Sequence, residues 1–440
     1  MASTRAPDRR PRRLTLATFA VVALVAADCR SVDPYLERCA ALAPDRYVIV
    51  LPETRRGSPV VEQFADGKRN DGFAIEFVAF DPAAAPRRRL AHVARELDAR
   101  RPQSGELAYV LFLAGADELP MGPWRIAGLE EPVESDLPLL LGELDPDVPL
   151  EEATWSRAMR AAFPWVPGRI PFTDEAALRA ALGLRPAVAP SRTALLGSER
   201  FAVWGDTALV MAWARSELTT RGWSAVTFAE DWPADVALGE ADDDTLRERF
   251  SAAGLQVADG GPVPHADLLF VTCWAATGPD VVYVNSHGSS LFGTVTVGDY
   301  LFSESKLDRL AAAAAAGDAA VATPGRPAIV VIAACKAGGP ASALTSRLFR
   351  DGWASVLIAS TAPTHPTPLW AAVRAEIDIA AALASGLPVG LRMRAVRESY
   401  FDDARCTWSY HLLDSTAPEV AHNLLALTLY GDPSAHDSRP

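Results

Sequence analysis

From about residue 44 onward, short apolar runs alternate with stretches whose apolar residues recur at helical spacing, the pattern of a mostly parallel sheet flanked by helices. Residues 47–51 read as a strand, the segment around 60–68 as a helix and 73–80 as a second strand. Leu90, Val93, Ala94 and Leu97 mark one face of a helix over 87–101, and 108–113 is a continuous apolar run suited to a strand covered on both faces. Pro, Asp and Glu crowd residues 120–171, which read as a long decorated loop closing on 166–171. A helix over 174–182 ends this half, and the connector 184–190 leads to a second series of strand 193–196, helix 206–221 and strand 224–228. The expected organisation is an N-terminal α/β subdomain over 44–190 and a C-terminal α/β subdomain over 191–440, with no internal repeat.

Two later runs carry the candidate chemistry. Val281-Val-Tyr-Val-Asn-Ser-His287-Gly288 and Ile329-Val-Val-Ile-Ala-Ala-Cys335 are both apolar until they deliver one reactive side chain. Open α/β sheets bind ligands beyond the carboxyl ends of their strands, which is where His287 and Cys335 would stand. The intervening chain fits a crossover: loop 289–299, helix 305–316 and a Pro/Gly turn at 323–327. A free thiol is only slightly ionised near neutral pH, so a nucleophilic Cys335 needs an imidazole such as His287 to take its proton and return it to the leaving amine. Gly288, lacking a side chain, lets its backbone approach a substrate carbonyl, and its N–H with that of Cys335 would make an oxyanion hole. Taken singly, a cysteine after a strand is usually an inert buried thiol and a His-Gly pair usually a turn; together and in this order they suggest a dyad.

Composition narrows the class. The chain has 440 residues, 49% of them hydrophobic, and a formal net charge of −13. Lys occurs only at 68, 306 and 336, and no clustered basic surface suggests nucleic acid as a partner. Five arginines lie within the first 13 residues, and an uncharged apolar run over 14–27 follows. At about 14 residues it is too short to cross a roughly 30 Å hydrocarbon core but suits a signal peptide over 1–27 with cleavage after Ala27. Export to the periplasm or beyond, with no membrane span after signal removal, is the expectation; a buried strand in a cytoplasmic protein is the alternative. The five cysteines, Cys29, Cys39, Cys273, Cys335 and Cys406, leave at least one unpaired. No Cys-x-x-Cys or His-rich tract is present, so neither a metal nor another cofactor is expected.

With a His about 50 residues upstream of the Cys, the dyad has caspase-like spacing, and the chain resembles the gingipain-type branch of the caspase-fold cysteine peptidases. Ala108-Tyr-Val-Leu-Phe-Leu-Ala-Gly115 with Glu118-Leu-Pro120 is similar to a landmark of that branch, as are Ser135-Asp136, Pro167-Gly-Arg-Ile-Pro171, Val356-Leu-Ile-Ala-Ser-Thr361 and Leu429-Tyr-Gly-Asp-Pro433. The resemblance covers roughly 45–435. It implies a caspase-like α/β fold of two stacked subdomains, with mostly parallel sheets flanked by helices, and endopeptidase activity on a protein or peptide substrate. It further implies a basic P1 preference, with Glu118 (or its neighbour Asp117) binding the P1 side chain and Trp370 covering that pocket. A solvated loop acid is the plainer role for Glu118. Rival functions are a cytoplasmic caspase-like signalling or defence protease, and a caspase-fold binding module without turnover. No third residue orienting His287 and no oligomeric state can be read from the sequence.

Overall fold

The structure, a computed structural model, describes residues 32–141, 164–173, 175–183, 191–198, 207–229, 268–286, 288–289, 296–297, 302–317, 322–339, 342–363, 378–405 and 417–436. The expected signal segment 1–27 and the connector 184–190 lie outside the described residues.

A helix that the pattern did not announce, α1 (Asp33–Ala41), precedes β1 (Arg46–Pro52), α2 (Pro59–Asn70), β2 (Ala74–Phe80), α3 (Pro86–Asp98) and β3 (Ala108–Leu113). The hairpin β4 (Gly122–Trp124) and β5 (Val133–Ser135) follows, then β6 (Trp165–Ile170) and α4 (Glu175–Ala181). The second half runs β7 (Thr193–Ser198), α5 (Thr207–Thr220), β8 (Ser224–Ala229), α6 (Leu269–Thr277), β9 (Val281–Asn285), β10 (Gly288–Ser289), β11 (Thr296–Val297) and β12 (Phe302–Ser303). It continues through α7 (Glu304–Ala316), β13 (Ala328–Ala333), α8 (Ala343–Arg350), β14 (Ala354–Ser360), α9 (Val389–Arg405), α10 (Ala417–Ala426) and β15 (Leu427–Tyr430).

Ten of these strands form one sheet in the order β2-β1-β3-β6-β15-β14-β13-β9-β7-β8, the mostly parallel α/β architecture expected. Its strands are apolar on both faces because both faces are covered. Along β1, Tyr47, Ile49 and Leu51 enter one core cluster, while Val48 and Val50 enter another on the opposite face. Helix ends follow local chemistry: Ser58 caps α2 by accepting from the Val61 N–H at 3.4 Å, with Pro59 in the first turn. Ser303 caps α7 in the same way, and Gly317, at φ 85°, ends it in a left-handed turn.

The two halves meet edge to edge through β15, the last strand. It lies parallel to β6, with Tyr430 opposite Arg169, and antiparallel to β14, with Tyr430 opposite Leu357. Since β1, β2, β3 and β6 are mutually parallel, as are β14, β13, β9, β7 and β8, the halves run in opposite directions. Their carboxyl ends therefore open on opposite edges of the sheet. Phe172, just past β6, stacks edge-on against Phe349, near the α8 end that leads into the start of β14, as this arrangement requires.

Two segments expected as loop carry strand. Residues 166–171 are mostly β6, whose Pro167 and Gly168 hide it in the sequence. Gly168 is needed there because a Cβ would lie 2.5 Å from the Gly431 carbonyl oxygen and 2.7 Å from Pro433 Cδ. Within 289–299 the short strand β11 pairs with β10 and β12 in a separate three-stranded sheet.

The junction gathers three of the quoted motifs. Arg169, fully buried, donates to both carboxylate oxygens of Asp136 at 3.0 and 3.3 Å and to the Leu119 carbonyl. Asp432 pairs with Lys68 of α2 at 2.5 Å and accepts from the Tyr47 hydroxyl at 2.8 Å and the Ser434 N–H at 2.9 Å. The Asp136–Arg169 pair thus braces the N-terminal half from within, while the bonds of Asp432 and the Gly431 N–H on the Arg169 carbonyl at 2.8 Å fasten the end of β15 to that half. Helix α1 is tied to α9 by Arg38–Glu398, and by the Arg394 guanidinium against the Cys39 thiol.

Candidate active site

β9 and β13 are direct parallel neighbours, with Val331 opposite Tyr283 and Ala333 opposite Asn285. The Ser286 N–H, one residue past β9, still donates to the Ala333 carbonyl at 3.2 Å, so the two strand ends stay paired to their tips. Cys335 follows β13 by two residues and is partly exposed, whereas Cys39 and Cys273 are buried; none of the three is joined in a disulfide. His287 lies outside the described residues, and so do Trp370, Cys29, Cys406, His265 and His411. Gly288 opens β10, opposite Val297 of β11.

The turn that presents Cys335 is held firmly. Lys336 sits at φ 56°, a left-handed conformation that a residue with a side chain adopts only at a cost of about 1–2 kcal/mol. It is retained because the Lys336 N–H donates to the Ala362 carbonyl at 3.1 Å and the Gly338 N–H to the Ser360 carbonyl at 2.9 Å. The Tyr430 hydroxyl donates to the Gly338 carbonyl, tying the same turn to β15. Gly338 has no room for a side chain, since a Cβ would stand 2.7 Å from Ala359 Cβ and 3.0 Å from the Ala359 backbone. Gly338→Ala is therefore expected to lower stability by about 1–3 kcal/mol, read from urea titration, and to reduce activity by displacing the Cys335 turn.

Glu118 does not share this edge. It stands in the turn after β3, where its Oε2 accepts from Arg55 at 2.6 Å and from the Gly115 N–H at 2.9 Å. Arg55 also donates to the Leu113 and Phe172 carbonyls, so the pair belongs to the carboxyl edge of the N-terminal half. Asp117, exposed, lies in the same turn. The structure brings a different acid to the Cys335 edge. The β4–β5 hairpin crosses the sheet, and the Glu134 carbonyl accepts from the Thr361 hydroxyl at 2.6 Å, one residue past β14. Thr361 is in turn fixed by its N–H on the Ala426 carbonyl at 3.0 Å. Glu134 is exposed, yet the burial it does have raises its carboxyl from the ordinary value, against the opposing pull of Arg169. No sequence signal pointed to Glu134, because a carboxylate in an acidic loop has no spacing of its own.

Two further polar side chains have structural surroundings. Asp308 pairs with Arg347 at 2.6 Å on the surface, and His422 is buried in α10. Among the described residues no group of three His, Cys, Asp or Glu is placed to hold a metal, and no helix is long and apolar enough to cross a membrane.

No family profile matches the chain, and no curated protein matches its sequence. Solved structures do. The Arg-specific cysteine proteinase gingipain R aligns over 89% of this chain and 78% of its own, at 13% identity and a TM-score of 0.56. The complex of pro- and mature domains of RgpB from Porphyromonas gingivalis aligns over 88% and 79%, at 14% identity and a TM-score of 0.55. A structure described only as a protease aligns over 90% and 78%, at 10% identity and a TM-score of 0.60. What the chain shares with them is the fold: its ten-stranded sheet and flanking helices are those of the gingipain-like, caspase-type architecture.

Proposed function

We propose that this chain is a cysteine endopeptidase in which Cys335 attacks the scissile carbonyl and His287 takes its proton and returns it to the leaving amine. The N–H groups of Gly288 and Cys335 hold the oxyanion. The supporting observation is the register of β9 and β13. Ala333, the last residue of β13, lies opposite Asn285, the last of β9, and in the sequence Cys335 and His287 each follow these paired strand ends by two residues. The partly exposed thiol, on a turn fixed by β14 and β15, agrees with a nucleophile better than with a packing residue. The likeness of the fold to solved cysteine proteinases adds to this reading. A protein or peptide substrate would lie across the carboxyl ends of β9, β13 and β14, and a basic P1 residue is the preference we assign. The basic and then apolar stretch over 1–27 supports export of the mature enzyme.

The test is a peptide library incubated with the purified chain and with its Cys335→Ala variant. Cleavage by the first alone is expected. Equal cleavage by both would refute the mechanism.

A further inference from the structure

The turn that carries the proposed nucleophile is not held by its own sequence. Lys336-Ala-Gly-Gly339 has neither a strand nor a helix pattern, and its two glycines have little preference for one backbone conformation. Its shape is imposed from outside. Two holds come from the end of β14: the Lys336 N–H on the Ala362 carbonyl at 3.1 Å and the Gly338 N–H on the Ser360 carbonyl at 2.9 Å. Two bonds to one strand fix a line, about which the turn could still swing. A third hold, the Tyr430 hydroxyl on the Gly338 carbonyl, comes from β15 and removes that freedom. We infer that Tyr430 is a positioning residue whose hydroxyl holds this turn so that Cys335 meets the substrate carbonyl, an inference that rests on the peptidase reading of Cys335.

The hydroxyl is well placed for this. Tyr430 is fully buried and lies opposite Leu357 of β14 on one side and Arg169 of β6 on the other, so the joint of the sheet sets where its ring stands. Among the described residues the other acceptor beside it is the Met121 sulfur at 3.8 Å, a weak one, which leaves the proton to Gly338. Burial raises the hydroxyl well above the ordinary tyrosine value, against the pull of Arg169 and with the help of Asp136 and Glu134, so it stays protonated and donates at any pH near neutral. Without it two forces act on the turn together. The buried Gly338 carbonyl is left without a partner, and Lys336, left-handed at φ 56°, has strain to release. A displacement of about 1 Å at the attacking atom costs on the order of 10²-fold in rate.

The experiment compares the wild-type chain with Tyr430→Phe and with Tyr47→Phe, which removes another buried hydroxyl, the one on Asp432 at 2.8 Å, far from Cys335 in the fold. Values of kcat are taken per site titrated with a thiol-reactive acyl probe, so that unfolded molecules are not counted. Tyr430→Phe should lose roughly 10- to 100-fold in kcat with KM within about twofold of wild type. Tyr47→Phe should keep its kcat although both variants lower the urea midpoint. Hydrogen exchange at the Lys336 and Gly338 amides, which needs no turnover, should quicken about tenfold in Tyr430→Phe alone. An intact kcat in Tyr430→Phe, an equal loss in Tyr47→Phe, or a rise confined to KM would each overturn the assignment. Unchanged exchange in Tyr430→Phe would overturn it as well, whatever the kinetics. A wild-type chain that hydrolyses no peptide would instead overturn the peptidase reading, and the exchange rates would still decide whether Tyr430 holds the turn.

Discussion

Cys335→Ala is expected to leave a folded protein whose peptide hydrolysis falls by a factor on the order of 10⁴ or more. The size of the effect follows from the chemistry. Without the sulfur no acyl-enzyme forms, and the remaining groups can only position substrate and polarise its carbonyl. The fold should survive because Cys335 is only partly buried, so removing its sulfur opens no cavity in the main cores. The turn around it is held by the N–H groups of Lys336 and Gly338 and by the Tyr430 hydroxyl, none of which involves the Cys335 side chain. Turnover measured beside a urea titration separates the two effects: activity should vanish while the unfolding midpoint stays close to that of the wild-type chain.

Asp432→Asn is expected to produce the largest loss of stability, about 3–5 kcal/mol, because it leaves Lys68 charged and buried without its partner. Lys68 has little else to rely on: the Ser434 hydroxyl at 2.7 Å, and the faces of Phe64 and Tyr47 at 5.2 and 5.8 Å. Adding Lys68→Met to the Asp432→Asn chain should recover much of the loss, a result that simple disruption of packing would not give. The same pair sets an acid limit. Burial by itself would raise the Asp432 carboxyl, but Lys68, the Ser434 N–H and the Tyr47 hydroxyl outweigh it and hold the pKa below the ordinary 3.8. A carboxyl depressed on folding contributes stability that is complete above its unfolded value. That contribution fades as pH drops below about 4 toward the folded value, so the gap between wild-type and Asp432→Asn chains should narrow there.

Much of the fold was legible because buried parallel strands announce themselves as unbroken apolar runs. β1, β3, β9 and β13 all do so, and the sequence places His287 and Cys335 just past two of them. β6 escaped because Pro167 and Gly168 are loop residues in most contexts, and here they answer to the close approach of Gly431 and Pro433. The opposite direction of the two halves is invisible to any local pattern, since a strand reads the same whichever way its neighbours run. That orientation places Glu118 on the far edge from Cys335, while the β4–β5 hairpin crosses the sheet and brings the Glu134 carbonyl to Thr361 at the end of β14. The SD, GRIP and YGDP stretches were legible as motifs but not as fastenings. Their partners Lys68, Tyr47 and Leu119 lie far away in sequence.

The cooperation between Cys335 and His287 is open to direct measurement through the rate at which iodoacetamide alkylates Cys335 at pH 6, followed by peptide-resolved mass spectrometry. Cys39 and Cys273, both buried, serve as unreactive internal references. Rapid alkylation of Cys335 in the wild-type chain, slowed at least about tenfold in His287→Ala, is the expected result. Equal rates in the two proteins would mean that the imidazole does not assist the sulfur, and the peptidase mechanism would fall.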